Sequence, residues 1–84
     1  MVLIAVFKSR NETLYLANCL ARLGKRIHVG NTPREVGVTC GICVQFGETI
    51  LSDVQALISA KPFRSFVGIF KVIRRGAEST IIKI

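Results

Sequence analysis

The stretch TPREVGVTCGICVQF, Thr32 to Phe46, passes from a proline-bearing loop into an alternating segment. From Gly41 to Phe46, Ile42, Val44 and Phe46 fall on one face and Cys43 and Gln45 on the other. That period of two marks a half-buried strand. Upstream, Arg26 to Asn31 (RIHVGN) alternates too, with Ile27 and Val29 set against His28. Two strands are therefore joined here by a loop around Pro33. The same stretch holds Arg34, Glu35 and two of the chain's three cysteines, Cys40 and Cys43.

Working outward, Met1 to Phe7 (MVLIAVF) is a near-continuous apolar run that fits a central, covered strand. Lys8 to Glu12 then opens a helix. Ser9 followed by Glu12 has the spacing of a capping box, with Ser9 or Asn11 as the N-cap. Leu16, Ala17, Leu20 and Leu23 fall at helical spacing as its buried stripe. Gly24 is the expected C-cap, and Arg22, Lys25 and Arg26 complement the helix dipole. On the other side, Thr49 to about Ala60 reads as a second helix with a stripe of Ile50, Leu51, Val54, Leu57 and Ile58, stopped by Pro62. Phe66 to Ile73 reads as a strand, Arg74 to Glu78 as a turn and Ser79 to Ile84 as a last strand. The order β-α-β-β-α-β plus a terminal strand is the split βαβ, ferredoxin-like arrangement. It is an α+β fold with two helices on one face of an antiparallel sheet.

Eighty-four residues leave no room for a second core, so residues 1–84 read as one domain. The longest apolar run is far shorter than the roughly 20 residues of a membrane-spanning helix. No basic segment precedes it, as a secretory signal requires. Three cysteines is an odd and sparse number for a secreted disulfide framework. The expectation is a cytoplasmic protein with no membrane partner. Twelve Lys and Arg against five Asp and Glu give a net charge of +7, suited to anions or acidic partners, or simply to solubility. Whether this surface takes nucleic acid is left open by the scatter of its cations.

Cys40 is the leading candidate for chemistry. A thiol reacts as the thiolate, which nearby positive charge and backbone N–H groups favour. Arg34 and Thr39 precede Cys40 in the loop, and Gly41 after it lets a bulky partner approach. The plain alternative is a loop cysteine packed as a small hydrophobe. Cys43 completes a Cys-x-x-Cys run, but inside a strand rather than at a helix N-terminus. Residues three apart in a strand point to opposite faces. Core packing is the preferred reading of Cys43, and a resolving thiol remains the alternative if Cys40 curls back to disulfide reach. Zinc lacks a convincing ligand set, since only Cys19, His28, Cys40 and Cys43 are on hand. A copper-carrier arrangement would need a cysteine in the first strand-to-helix loop, which has none. No Ser-His-Asp pattern or Gly-rich phosphate loop is present. Phe66 and Phe70 are as well explained by packing as by RNA stacking.

Met1–Phe7, Ser9, Pro33-Arg34-Glu35, Cys40-Gly41 and Val67-Gly68-Ile69-Phe70-Lys71 together resemble a bacterial family of small domains described as selenium/sulfur carrier protein-like. The resemblance implies that Cys40 accepts a sulfur or selenium atom as a persulfide or selenosulfide and passes it on. Arg34, Thr39 and Gly41 would assist, without a cofactor. It implies a cysteine desulfurase-like donor and a downstream acceptor protein or tRNA-modifying enzyme. The chain would thus be a carrier rather than an enzyme. Cys43 stands where the family pattern leads one to expect an aliphatic residue. A Cys43 that reached Cys40 would turn carriage into redox chemistry. From another class comes the alternative of a non-catalytic binding or regulatory module with incidental cysteines. In either case the apolar last strand suits a homodimer formed through a sheet edge.

Overall fold

A computed structural model describes residues 2–37 and 39–84 of the chain. The elements are β1 (Val2–Phe7), α1 (Arg10–Arg22), β2 (Ile27–Asn31), β3 (Ile42–Phe46), α2 (Leu51–Ala60), β4 (Phe66–Arg75) and β5 (Glu78–Lys83). Short 3-10 turns, Arg34–Val36 and Glu48–Ile50, precede β3 and α2. The strands form one antiparallel sheet in the order β2-β3-β1-β4-β5. This is the expected ferredoxin-like α+β arrangement, with β5 added at the β4 edge. Met1, the expected first residue of β1, lies outside the described residues.

β1 is buried from both sides because its two faces feed two apolar clusters. Leu3, Ala5 and Phe7 pack with Val44, Phe46 and Ile69, and with Leu16, Ala17 and Leu20 of α1 and Val54 of α2. Ile4 and Val6 face away from the helices and pack with Cys43, Phe70 and Val72. Each large aliphatic so buried stabilises the fold by about 1.5–3 kcal/mol. The second helix begins at Leu51, two residues later than expected. Its stripe is otherwise the expected one, with Val54 buried and Ile50, Leu51, Leu57 and Ile58 packed against the core.

α1 starts where the extended backbone of Ser9 lets its Oγ accept a hydrogen bond from the Glu12 N–H at 3.2 Å. The second half of the expected capping box is not formed. Instead, the Glu12 carboxylate accepts from the N–H groups of Arg64 and Ser65 and from the Ser65 hydroxyl, and Ser65 Oγ accepts from the Ser9 N–H. These bonds hold its carboxyl below the usual carboxylate range, the Ser65 side chain first and the Arg64 N–H next. Three backbone and hydroxyl donors outcompete the single Ser9 N–H. The start of α1 is thereby tied to the start of β4.

α1 ends in a Schellman motif. Gly24 adopts φ 74°, the Gly24 N–H donates to Ala21 O and the Lys25 N–H to Leu20 O. Leu23 is thus the C-cap rather than a member of the buried stripe, and it is 59% exposed. The expected turn Arg74–Glu78 is also shorter. The β4–β5 ladder continues through Arg74–Ser79 and Arg75–Glu78, leaving Gly76-Ala77 as a two-residue connection. Gly76 at φ 61° supplies the positive-φ first residue that such a tight hairpin uses.

A register shift where β1 meets β4 sends the two candidate stacking aromatics to different faces. Phe66 pairs with Phe7 and lies 5.4 Å from its ring on the helix side. Phe70 is buried on the opposite side, in the cluster with Ile4. They do not make a shared stacking platform.

Candidate functional site

The segment between β2 and β3 closes on itself and leans on the end of β1. The Thr32 N–H donates to Gly41 O at 2.9 Å, which joins the base of the loop. Val36, from the 3-10 turn, packs against the cluster on the helix-free face of the sheet. Gly41 takes φ 90°, a conformation that side-chain-bearing residues rarely adopt, and its N–H donates to Thr39 Oγ1 at 3.1 Å. This bend carries Cys40 back to the β1–α1 junction, where its N–H points to Phe7 O at 3.5 Å.

The Cys40 sulfur lies 3.5 Å from Thr13 Oγ1 and 3.4 Å from Ile42 O. Thr13 was not among the residues singled out from the sequence. It is fully buried in the first turns of α1, and its hydroxyl also donates to Ser9 O at 3.0 Å. A thiol at Cys40 can donate to Ile42 O. A thiolate cannot, but the Thr13 hydroxyl can then turn its one proton from Ser9 O toward the sulfur. Cys40 itself is half-buried, beside the exposed Gly41, where an added Cβ would meet no atom within 4 Å.

Cys43 has the opposite setting. It is fully buried among Ile4, Val6, Phe70 and Val72, and its thiol donates to Asn31 O at 3.7 Å. Burial pushes this thiol above the ordinary cysteine range. Thr32 Oγ1, itself buried and without a partner at hydrogen-bond geometry, offsets only part of that push. Cys19, Cys40 and Cys43 are all free thiols.

The structure thus gathers Cys40, Gly41 and Thr39 at one bend and adds Thr13 from α1. Arg34 is exposed on the 3-10 turn and is not a hydrogen-bond partner of the Cys40 sulfur. His28 is exposed on β2. Among the described residues, no three His, Cys, Asp or Glu side chains converge to hold a metal ion. Among those residues, too, no helix is long and apolar enough to cross a membrane.

Residues 2–65 match the model of a family described as "Putative Se/S carrier protein-like". The match runs from β1 through α2 and the Cys40 bend, and it stops before Val67–Lys71 and the β4–β5 hairpin. No curated protein and no solved structure matches the chain.

Proposed function

The chain belongs to the Se/S carrier protein-like family, and we propose on that premise that Cys40 is the residue that carries the atom. The observation supporting this choice is the contact of its half-buried sulfur with the Thr13 hydroxyl at the start of α1. In the proposed cycle, the Cys40 thiolate attacks the outer sulfur of a donor persulfide. A new S–S bond forms at Cys40 as the donor S–S bond breaks, and the electron pair leaves on the donor thiolate. The atom moves with no net oxidation, so no cofactor takes part. Delivery to an acceptor thiol repeats the exchange in the other direction. A selenium atom follows the same course as a selenosulfide.

Thr13 orients the sulfur and donates to it when it is ionised. Gly41 leaves the approach open, and Thr39 holds the Gly41 N–H that shapes the bend. Arg34 contributes positive charge to a surface of net charge +7, which steers acidic donors such as a cysteine desulfurase. The acceptor is a protein or a tRNA-modifying enzyme. Cys43 packs the sheet and is not a resolving thiol in this reading.

The test is to incubate the reduced protein with a cysteine desulfurase and free cysteine, then take intact and peptide masses, with Cys40→Ser and Cys43→Ser in parallel. A one-sulfur gain on the Cys40 peptide, absent in Cys40→Ser and kept in Cys43→Ser, is the expected result. Loss in both variants, with a Cys40–Cys43 disulfide in the wild type, would replace carriage with redox chemistry.

A further inference from the structure

β5 is the outermost strand of the sheet, and its outer edge is open. Edge strands in soluble proteins are usually guarded by proline, by a bulge or by a charge aimed along the edge. β5, reading ESTIIK, has no proline. Lys83 does not serve as the guard, because its stem turns inward over β4. A Cβ added at Gly68 would come within 2.7 Å of Lys83 Cε. Ile82 and Ile84 are meanwhile 47% and 54% exposed. α1 packs on β1, β2 and β3, and β4 lies between the nearest of these, β1, and β5. β2, the opposite edge, is shorter and carries Gly30, which offers no side chain to an interface.

The hydrogen-bond parity of β5 decides how it could pair. The Ile84 N–H donates inward to Ile69 O, and alternate residues share that direction. Ile82 and Thr80 therefore bond to β4, opposite Lys71 and Ile73, while Ser79, Ile81 and Lys83 turn their backbone groups outward. We propose that β5 pairs with β5 of a second copy of this chain, antiparallel and about a two-fold axis at Ile81. In that register Ile81 faces Ile81, and Ser79 faces Lys83 in both directions. All the outward groups become hydrogen-bonded pairs, giving about six new backbone bonds. Because the side-chain period is two, paired residues must share a face. They do: Ile81, Ser79 and Lys83 project from the helix-free face, Thr80 and Ile82 meet on the other, and Glu78 of one copy meets Ile84 of the other. No two side chains of like charge stand opposite each other. The contact is isologous and closes as a dimer.

The two sheets join into one of ten strands. β1, β4 and β5 lie between β3, which the Cys40 bend precedes, and the axis, so each copy keeps its own accessible thiol, and the dimer stands independently of the carrier reading. Sedimentation equilibrium from micromolar to millimolar protein, combined with amide hydrogen exchange, tests the proposal. The wild type should shift from one-chain to two-chain mass as concentration rises. The Ser79, Ile81 and Lys83 amides should gain protection with the same concentration dependence. Ile81→Pro removes an outward N–H and no β4–β5 bond, so it should sediment as a single chain with an unchanged circular dichroism spectrum. Should that variant fail to fold, Ile81→Lys sets two ammonium groups face to face on the axis and should also be monomeric. A wild type that stays one chain at millimolar concentration would overturn the proposal. So would a dimer that survives the Ile81 substitutions, or one that leaves those three amides unprotected.

Discussion

Cys40 and Cys43 are three residues apart, and their sulfurs meet different surroundings. Cys40 sits at the bend before β3, half-buried, against the hydroxyl of Thr13 on the helix side. Cys43 is inside β3, turned to the helix-free face and sealed among Ile4, Val6, Phe70 and Val72. One thiol has a donor that can serve its ionised form and an open glycine beside it. The other donates to the Asn31 carbonyl, which suits a neutral thiol, and burial pushes it up. A Cys-x-x-Cys spacing is therefore no guide to shared chemistry when the second cysteine lies in a strand. The face each sulfur occupies decides what it can do.

The largest expected effect is on loading with a transferred atom. Cys40→Ser should abolish it, while Cys43→Ser should leave it intact, as read by peptide mass after exposure to a persulfide donor. Thr13→Val keeps the shape of the side chain and removes the hydroxyl. It should slow alkylation of Cys40 at neutral pH about five-fold, the worth of about 1 kcal/mol of lost hydrogen bonding. Thr13→Ser should restore much of the rate. An unchanged rate in Thr13→Val would show that the contact is packing alone. Cys43→Ala should sharpen the contrast from the other side. It should cost about 1–2 kcal/mol in urea unfolding, because a small void opens in a sealed cluster, with little change in Cys40 alkylation.

The fold was legible because its signals are local. The period of two in RIHVGN and GICVQF and the period of 3.6 in the two helices survive tertiary packing unaltered. Where the reading slipped, a longer-range partner or a cap had intervened. Leu23 looked like a stripe residue because nothing before Gly24 marks the exact end of the helix. Glu12 looked like a capping-box partner because residue spacing cannot reveal Arg64 and Ser65, more than fifty positions away. The candidate site was legible in part. Cys40 and Gly41 stood out by residue type, but the bend returns Cys40 to a threonine 27 positions earlier. One signal was available. Thr13 lies three residues before Leu16 and four before Ala17, so it falls on the buried stripe, and a buried hydroxyl requires a partner.

Smaller effects concern the frame around the bend. Glu12 has a folded-state affinity for protons below its unfolded value, so its contribution to stability is present above the unfolded pKa. That contribution is lost as pH falls through the lower folded value. Thermal melts should show the wild type more stable than Glu12→Gln at neutral pH, with the gap closing in acid. A gap independent of pH would mean that the neutral amide replaces the carboxylate equally well. Arg34→Ala should have the smallest effect, a change of about two-fold or less in Cys40 alkylation, since its charge acts from an exposed site through solvent. Its larger influence should be on the salt dependence of association with an acidic donor.

The most direct test of the central claim is the rate of iodoacetamide labelling at each of the three cysteines in one native sample, read by peptide mass at neutral pH and again in urea. Cys40 should react first, Cys43 should react only as the protein unfolds, and the rates should converge in urea. Native rates that are equal, or a Cys43 that reacts ahead of Cys40, would contradict that claim.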